Sequence, residues 1–158
     1  MALPPEDTLL RNYRFAEPER NGCDFPVTAA AFHDKDGEVS VNLLSIWDED
    51  EMRAHLAKTK KLNGKGFLDQ RDYGFVAVSM NQVRNELGLP VHASPEPATV
   101  RAPANPSHHH IDTKTNPSGH AMDLYAMALG YSAPPRLAGK TLKHCERWAE
   151  LAFAEAEG

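Results

Sequence analysis

Apolar and polar positions along this chain sort into stretches of two different periods. From Glu38 to Leu44 (EVSVNLL) they alternate, so Val39, Val41 and Leu43 share one face of a strand and Ser40 and Asn42 the other. Phe25 to Phe32 (FPVTAAAF) is a second, more continuous apolar run. His33-Asp34-Lys35-Asp36-Gly37 separates the two, and Asp-Gly between apolar runs is a strong turn signal. A β-hairpin over about 25–44 is the expectation. Tyr73 to Val78 (YGFVAV) reads as a buried strand. Leu9 to Phe15 reads as a first strand or a short helix, entered from a loose arm over residues 1–10.

The helical period appears elsewhere. Asp48-Glu49-Asp50-Glu51 opens a helix running to about Lys60: Asp48 caps it, Glu51 completes a capping box, and Met52 and Leu56 share a face. That role accounts for the acidic run without a metal. Ser79 and Gln82 begin a second helix with Val83 and Leu87 on one face, ended by Gly88. Pro90 to Pro106 is extended and Pro-rich, with a short strand expected at Ala98 to Arg101. Ser118 caps a helix from Gly119 to Leu129 closed by Gly130. Pro134-Pro135 starts a long last helix from about Arg136 to Ala156, whose apolar stripe includes Leu137, Leu142 and Cys145. Strands and helices without regular βαβ alternation predict an α+β fold. The expectation is a small mixed or antiparallel sheet packed by three to four helices, including the long C-terminal one, in a single domain over 1–158.

Composition narrows the classes of function. The chain has 17 Lys and Arg against 22 Asp and Glu, a formal net charge of −5, which argues against coating duplex DNA in bulk. No apolar run reaches the roughly 18–20 residues of a membrane span, and Met1 to Leu10 has the charge pattern of no secretory signal. Cys23 and Cys145 are too few for a disulfide framework or a Cys-based zinc site, which fits a cytoplasmic protein.

The chemistry concentrates in one segment. Five of the eight His and six of the twelve Pro fall within residues 90–120. In Asn105 to Asp112 (NPSHHHID), an extended backbone points His108, His110 and Asp112 one way and His109 the other. Two imidazoles and a carboxylate can hold a divalent metal such as zinc or manganese with open positions. His120, at the start of the next helix, is a further candidate ligand or general base. Without metal, His108, His110 and His120 can move protons near neutral pH, one as base and another as acid toward a phosphodiester. His33, His55, His92 and His144 fit turn, helix and loop positions that need no chemistry.

The segments RNYRF (11–15), AAF (30–32), VSVN (39–42) and NPSHHHI (105–111) together resemble a group of small uncharacterised bacterial proteins. That resemblance implies a common fold and carries no activity. The opening is also similar to ADP-ribosyltransferase-type folds, which places substrate binding at Arg14 and matches Ser40 to their second-strand serine. Their late glutamate has Glu96, between prolines, as its nearest counterpart. Three classes of function follow. The first is a hydrolase of a phosphate-bearing substrate, RNA or a nucleotide, through the His-rich segment. The second is a non-enzymatic module that binds a protein partner, such as an immunity, antitoxin or adaptor protein. The third is an ADP-ribosyltransferase-like protein.

Overall fold

A computed structural model of the chain describes residues 3–14, 29–70 and 73–132. Its centre is a five-stranded sheet, antiparallel at every pairing. The strands are β1 (Thr8–Arg14), β2 (Glu38–Leu43), β3 (Tyr73–Ser79), β4 (Val91–Ala93) and β5 (His108–Asp112), in the order β3-β1-β2-β5-β4. Among the described residues three α-helices accompany it: α1 (Glu49–Ala57), α2 (Met80–Asn85) and α3 (Pro117–Ser132). The fold is α+β, as the alternation pattern predicts. The expected helix over 136–156 lies outside the described residues. No helix among the described residues is long and apolar enough to cross a membrane.

Period-two alternation sets which face each strand buries. Leu9, Val39, Val41, Val76, Val78 and Ile111 all point to one face and are fully or almost fully buried there. Ala121, Leu124, Tyr125 and Ala128 of α3 cover them, spaced at three and four residues so that one helical stripe meets the sheet. Each fully buried branched side chain contributes about 1.5–3 kcal/mol, so this face supplies most of the apolar stabilisation.

The helix starts are encoded as expected in two cases. Asp48 accepts from Glu51 N at 2.9 Å and Glu51 reaches back to Asp48 N, completing the capping box of α1. Ser79 accepts from Gln82 N at α2. At α3 the cap is Asn116 rather than Ser118: its Oδ1 accepts from Gly119 N at 3.1 Å, and Pro117 takes the first helical position, where it needs no N–H partner.

Several expected elements differ. Ala29–Phe32 forms a short 3-10 turn, not the first arm of a hairpin, and 25–28 lie outside the described residues. The reason is that β2 already pairs with β1 on one edge and β5 on the other, leaving no edge for residues 29–32. The turn itself is as predicted: Gly37 N donates to Asp34 O, and Gly37 has φ +75°. A Cβ on Gly37 would lie within 2.8 Å of the Lys114 backbone, so only glycine fits there. Thr8–Leu10 of the expected loose arm belong to β1. In the Pro-rich segment the strand is Val91–Ala93, where Val91 adds to the core. Residues 98–101 instead make a turn in which Thr99 Oγ1 accepts from Arg101 N and Ala102 N.

Candidate functional site

The His-rich segment is a strand in the interior of the sheet, β5, hydrogen-bonded to β2 on one side and β4 on the other. Its alternation divides the three consecutive histidines. His109 and Ile111 are buried on the α3 side, where His109 Nδ1 donates to Ser107 O at 2.9 Å. His108, His110 and Asp112 stand on the second face, half-buried. Two residues along a strand are about 6.6 Å apart, so neighbouring imidazoles on this face can act on one small group between them.

Ser94 ties the pair together. Its carbonyl and its hydroxyl both lie 2.8 Å from His108 Nδ1, and the hydroxyl is 3.1 Å from His110 Nδ1. A carbonyl only accepts, so His108 carries its proton on Nδ1 and presents the lone pair of Nε2 outward. The Ser94 hydroxyl, with one donor and two lone pairs, donates to Nδ1 of a neutral His110 or accepts from Nδ1 of a protonated one. One serine thus meets both rings: its carbonyl leaves an acceptor at His108 Nε2, and its hydroxyl serves His110 Nδ1 in either protonation state. His92, paired with His110 across β4 and β5, sets its ring 5.2 Å away, and Glu96 Oε1 stands 3.9 Å from His108 Nε2.

Two depressions meet at His108. An open groove of about 410 Å³ holds His108 and His110 and is rimmed by Asp34, Asp36, Glu38 and Glu96. Part of this acidity is spoken for, since Glu38 pairs with Lys114 at 3.6 Å. A smaller cavity of about 160 Å³ runs beneath α1, between Trp47 and Leu56 above and Asn12, Asn42 and Phe75 below. Ser40, Glu96 and His108 line both. The floor of the smaller cavity forms where β1 and β2 separate: their pairing covers Leu9↔Leu43 and Leu10↔Asn42. Beyond it Arg11 reaches across on the core side, donating from Nη1 to Ser40 O at 2.8 Å and from Nε to Ala31 O at 2.7 Å. Burial lowers the Arg11 guanidinium below its ordinary value, and the nearby Asp34 carboxylate partly offsets this.

The other expected site residues lie apart from the pair. Asp112 Oδ1 accepts from Lys114 N at 3.0 Å, in the turn after β5. His120 sits on the first turn of α3 with Nε2 3.0 Å from Thr115 Oγ1 and Nδ1 3.5 Å from Asp123. Neither lines either depression. Among the described residues no three His, Cys, Asp or Glu side chains come together to hold a metal ion. Arg14 ends β1 opposite Tyr73; its side chain lies outside the described set. Ser40, matched by the transferase resemblance, and Glu96, the residue nearest to its late glutamate, line the same cavity as His108.

His55 and His92, expected at positions that need no chemistry, stand at the small cavity and against the His110 ring, and Ser94 carried no expectation. His55 contacts the Trp47 ring at 5.3 Å and its Nε2 is 2.9 Å from Pro103 O, which fastens the Pro-rich segment to α1. The available signal was the apolar Val91 beside His92, which marks a short strand; the pairing that brings Ser94 between two histidines has no local signature. Comparison with known proteins finds no matching family model, no similar curated protein and no similar solved structure.

Proposed function

We propose that the protein is a metal-independent hydrolase of a phosphodiester in RNA or a nucleotide, with His108 as general base and His110 as general acid. The observation that carries this is Ser94, whose carbonyl keeps the His108 proton on Nδ1 and whose hydroxyl can accept from Nδ1 of a protonated His110. In the first step His108 Nε2 takes the proton from the 2′-hydroxyl as its oxygen bonds to phosphorus. His110, as the imidazolium with Nδ1–H donating to Ser94 Oγ, gives its Nε2 proton to the departing 5′-oxygen as that P–O bond breaks, and is left neutral. The products are a 2′,3′-cyclic phosphate and a free 5′-hydroxyl. Water then opens the cyclic ester with the two roles exchanged. The acidic rim selects among phosphates: a terminal phosphate carries about two negative charges and a diester one, so repulsion by Asp34, Asp36 and Glu96 is weaker for the diester.

The test is turnover of short RNA oligonucleotides and 2′,3′-cyclic nucleotides, with and without chelator. Wild type turns over in both. His108→Ala and His110→Ala, folded by circular dichroism, each lose about 10²–10⁴-fold. Equal rates in the variants, or loss of activity with chelator alone, would overturn the assignment.

A second reading rests on the convergence of Ser40 and Glu96 at the same cavity. It supports ADP-ribosyl transfer, and release of nicotinamide from NAD without RNA cleavage would favour it.

A further inference from the structure

The smaller cavity has features that phosphodiester chemistry alone does not use. Its walls are apolar and aromatic on two sides: Trp47, Met52 and Leu56 from the α1 side, and Phe75 from β3. Its volume of about 160 Å³ matches one planar ring, and at Ser40, Glu96 and His108 it opens into the larger groove, which leaves room for a fused second ring. Phe75 is fixed from behind by Arg53, whose guanidinium lies 4.9 Å from the ring centroid and whose Nη1 donates to Gln70 O and Tyr73 O.

The polar groups in the cavity have defined directions. Asn42 Oδ1 accepts from Asn105 Nδ2 at 2.9 Å and lies 3.0 Å from Ser107 Oγ. This fixes its amide so that Nδ2, with two donors, is left without a partner among the described residues. Asn105 is itself held, its Oδ1 accepting from Ser107 N at 3.1 Å. At the mouth, Glu96 is pinned by paired backbone hydrogen bonds with Asn105, each 2.9 Å. Its carboxylate stands 3.9 Å from His108 Nε2, beyond hydrogen-bonding distance, so both oxygens can accept from a ligand.

A donor beside a two-oxygen acceptor, between ring-bearing walls, is the complement of one heterocyclic edge. We infer that this cavity is a nucleobase subsite for guanine, with the Asn42 amide donating to O6 and the Glu96 carboxylate accepting from N1–H and the 2-amino group. The other common bases offer a carboxylate fewer adjacent N–H donors, so guanine alone uses both oxygens. The cavity and the groove share His108, so a base held here brings its own ribose phosphate toward the catalytic pair. The inference rests on the proposed nucleotide chemistry for its context, and it is tested without that chemistry.

Nucleosides carry no phosphate, so their binding is independent of turnover. The probe is guanosine against inosine, which lacks only the 2-amino group, and adenosine. Binding is followed by the indole N–H signal of Trp47, assigned by its loss in Trp47→Phe. Guanosine is expected to saturate the shift below about 1 mM and to bind about tenfold more tightly than inosine, the effect of one hydrogen bond to a carboxylate. Glu96→Gln, at an exposed position that leaves folding intact, should remove that preference. No shift with guanosine, or an unchanged preference in Glu96→Gln, overturns the subsite. Guanosine binding without RNA turnover would sink the hydrolase and support the subsite; turnover indifferent to the base beside the scissile bond would do the reverse.

Discussion

The two faces of the sheet are made by the same strands and are closed in different ways. On one face α3 lies along valines and isoleucine, and the polar groups there are few: His109 donates to one carbonyl and Arg11 to two. On the other face α1 covers only part of the sheet, and Asn42, Ser40, His108 and His110 stand where a core would place apolar residues. β5 takes part in both, so a shift of one residue along it would exchange the histidine roles. Stability and chemistry are therefore carried by alternate residues of one five-residue strand, and substitutions along it should separate them.

The largest effect on that comparison is expected at Ile111, which is fully buried between β2, β4 and α3. Ile111→Ala should cost about 2–5 kcal/mol in urea denaturation, from lost transfer energy and the cavity left behind. Turnover per folded molecule should stay within about twofold of wild type, a change under about 0.5 kcal/mol in barrier. A fall in rate to match the fall in stability would mean that the faces are not independent.

Arg11 comes next. Arg11→Met leaves Ala31 O and Ser40 O without their donors, a loss of about 1.5–3 kcal/mol for each bond to a charged group, but it also removes the cost of burying the cation. A net loss of about 1–2 kcal/mol is expected by thermal or chemical denaturation. The sign of the pH effect follows from the lowered value. The penalty on the charged form is full below the folded value and lifts as pH rises from the folded toward the unfolded value. Arginine stays charged around neutrality, so the difference between wild type and variant should be flat there. Because Ser40 O sits at the edge of the small cavity, this variant tests whether the core side holds the site's floor in place.

Much of this contrast was legible in the residues. The alternation in EVSVN and HHHID assigned the right side chains to the right faces, because period two is a property of the extended backbone itself. The helix caps were equally local: the Asp48–Glu51 box, and Ser79 accepting from Gln82 N, each lie within one turn. What was not legible is long-range. FPVTAAAF looks like a strand until β2 is seen to have both edges taken. His92 and Ser94 look like loop residues until β4 pairs with β5, 14 residues separating Ser94 from His108. Asp112 and His120 were drawn into the site by closeness in sequence, whereas the turn after β5 gives each of them other partners.

The smallest change in stability, and the finest test of the second face, is expected from Ser94→Ala. The hydroxyl is part-buried and surface-near, so its loss should cost about 0.5–1.5 kcal/mol or less. Its carbonyl remains, and with it the bond that keeps the His108 proton on Nδ1 and its base function on Nε2. What is lost is the group that meets His110 Nδ1, donating to the neutral ring and accepting from the charged one. Turnover should fall by about tenfold, one order within the range that a positioned acid supplies. The loss should fall on the chemical step: kcat drops while KM stays within about twofold of wild type, because the hydroxyl meets His110 and not the substrate. Ser94→Thr, which restores a hydroxyl, should return kcat toward wild type. A rise in KM with kcat unchanged, or no rescue by Ser94→Thr, would make Ser94 a structural link between β4 and β5 and nothing more, and the division of labour between the two histidines would have to be abandoned.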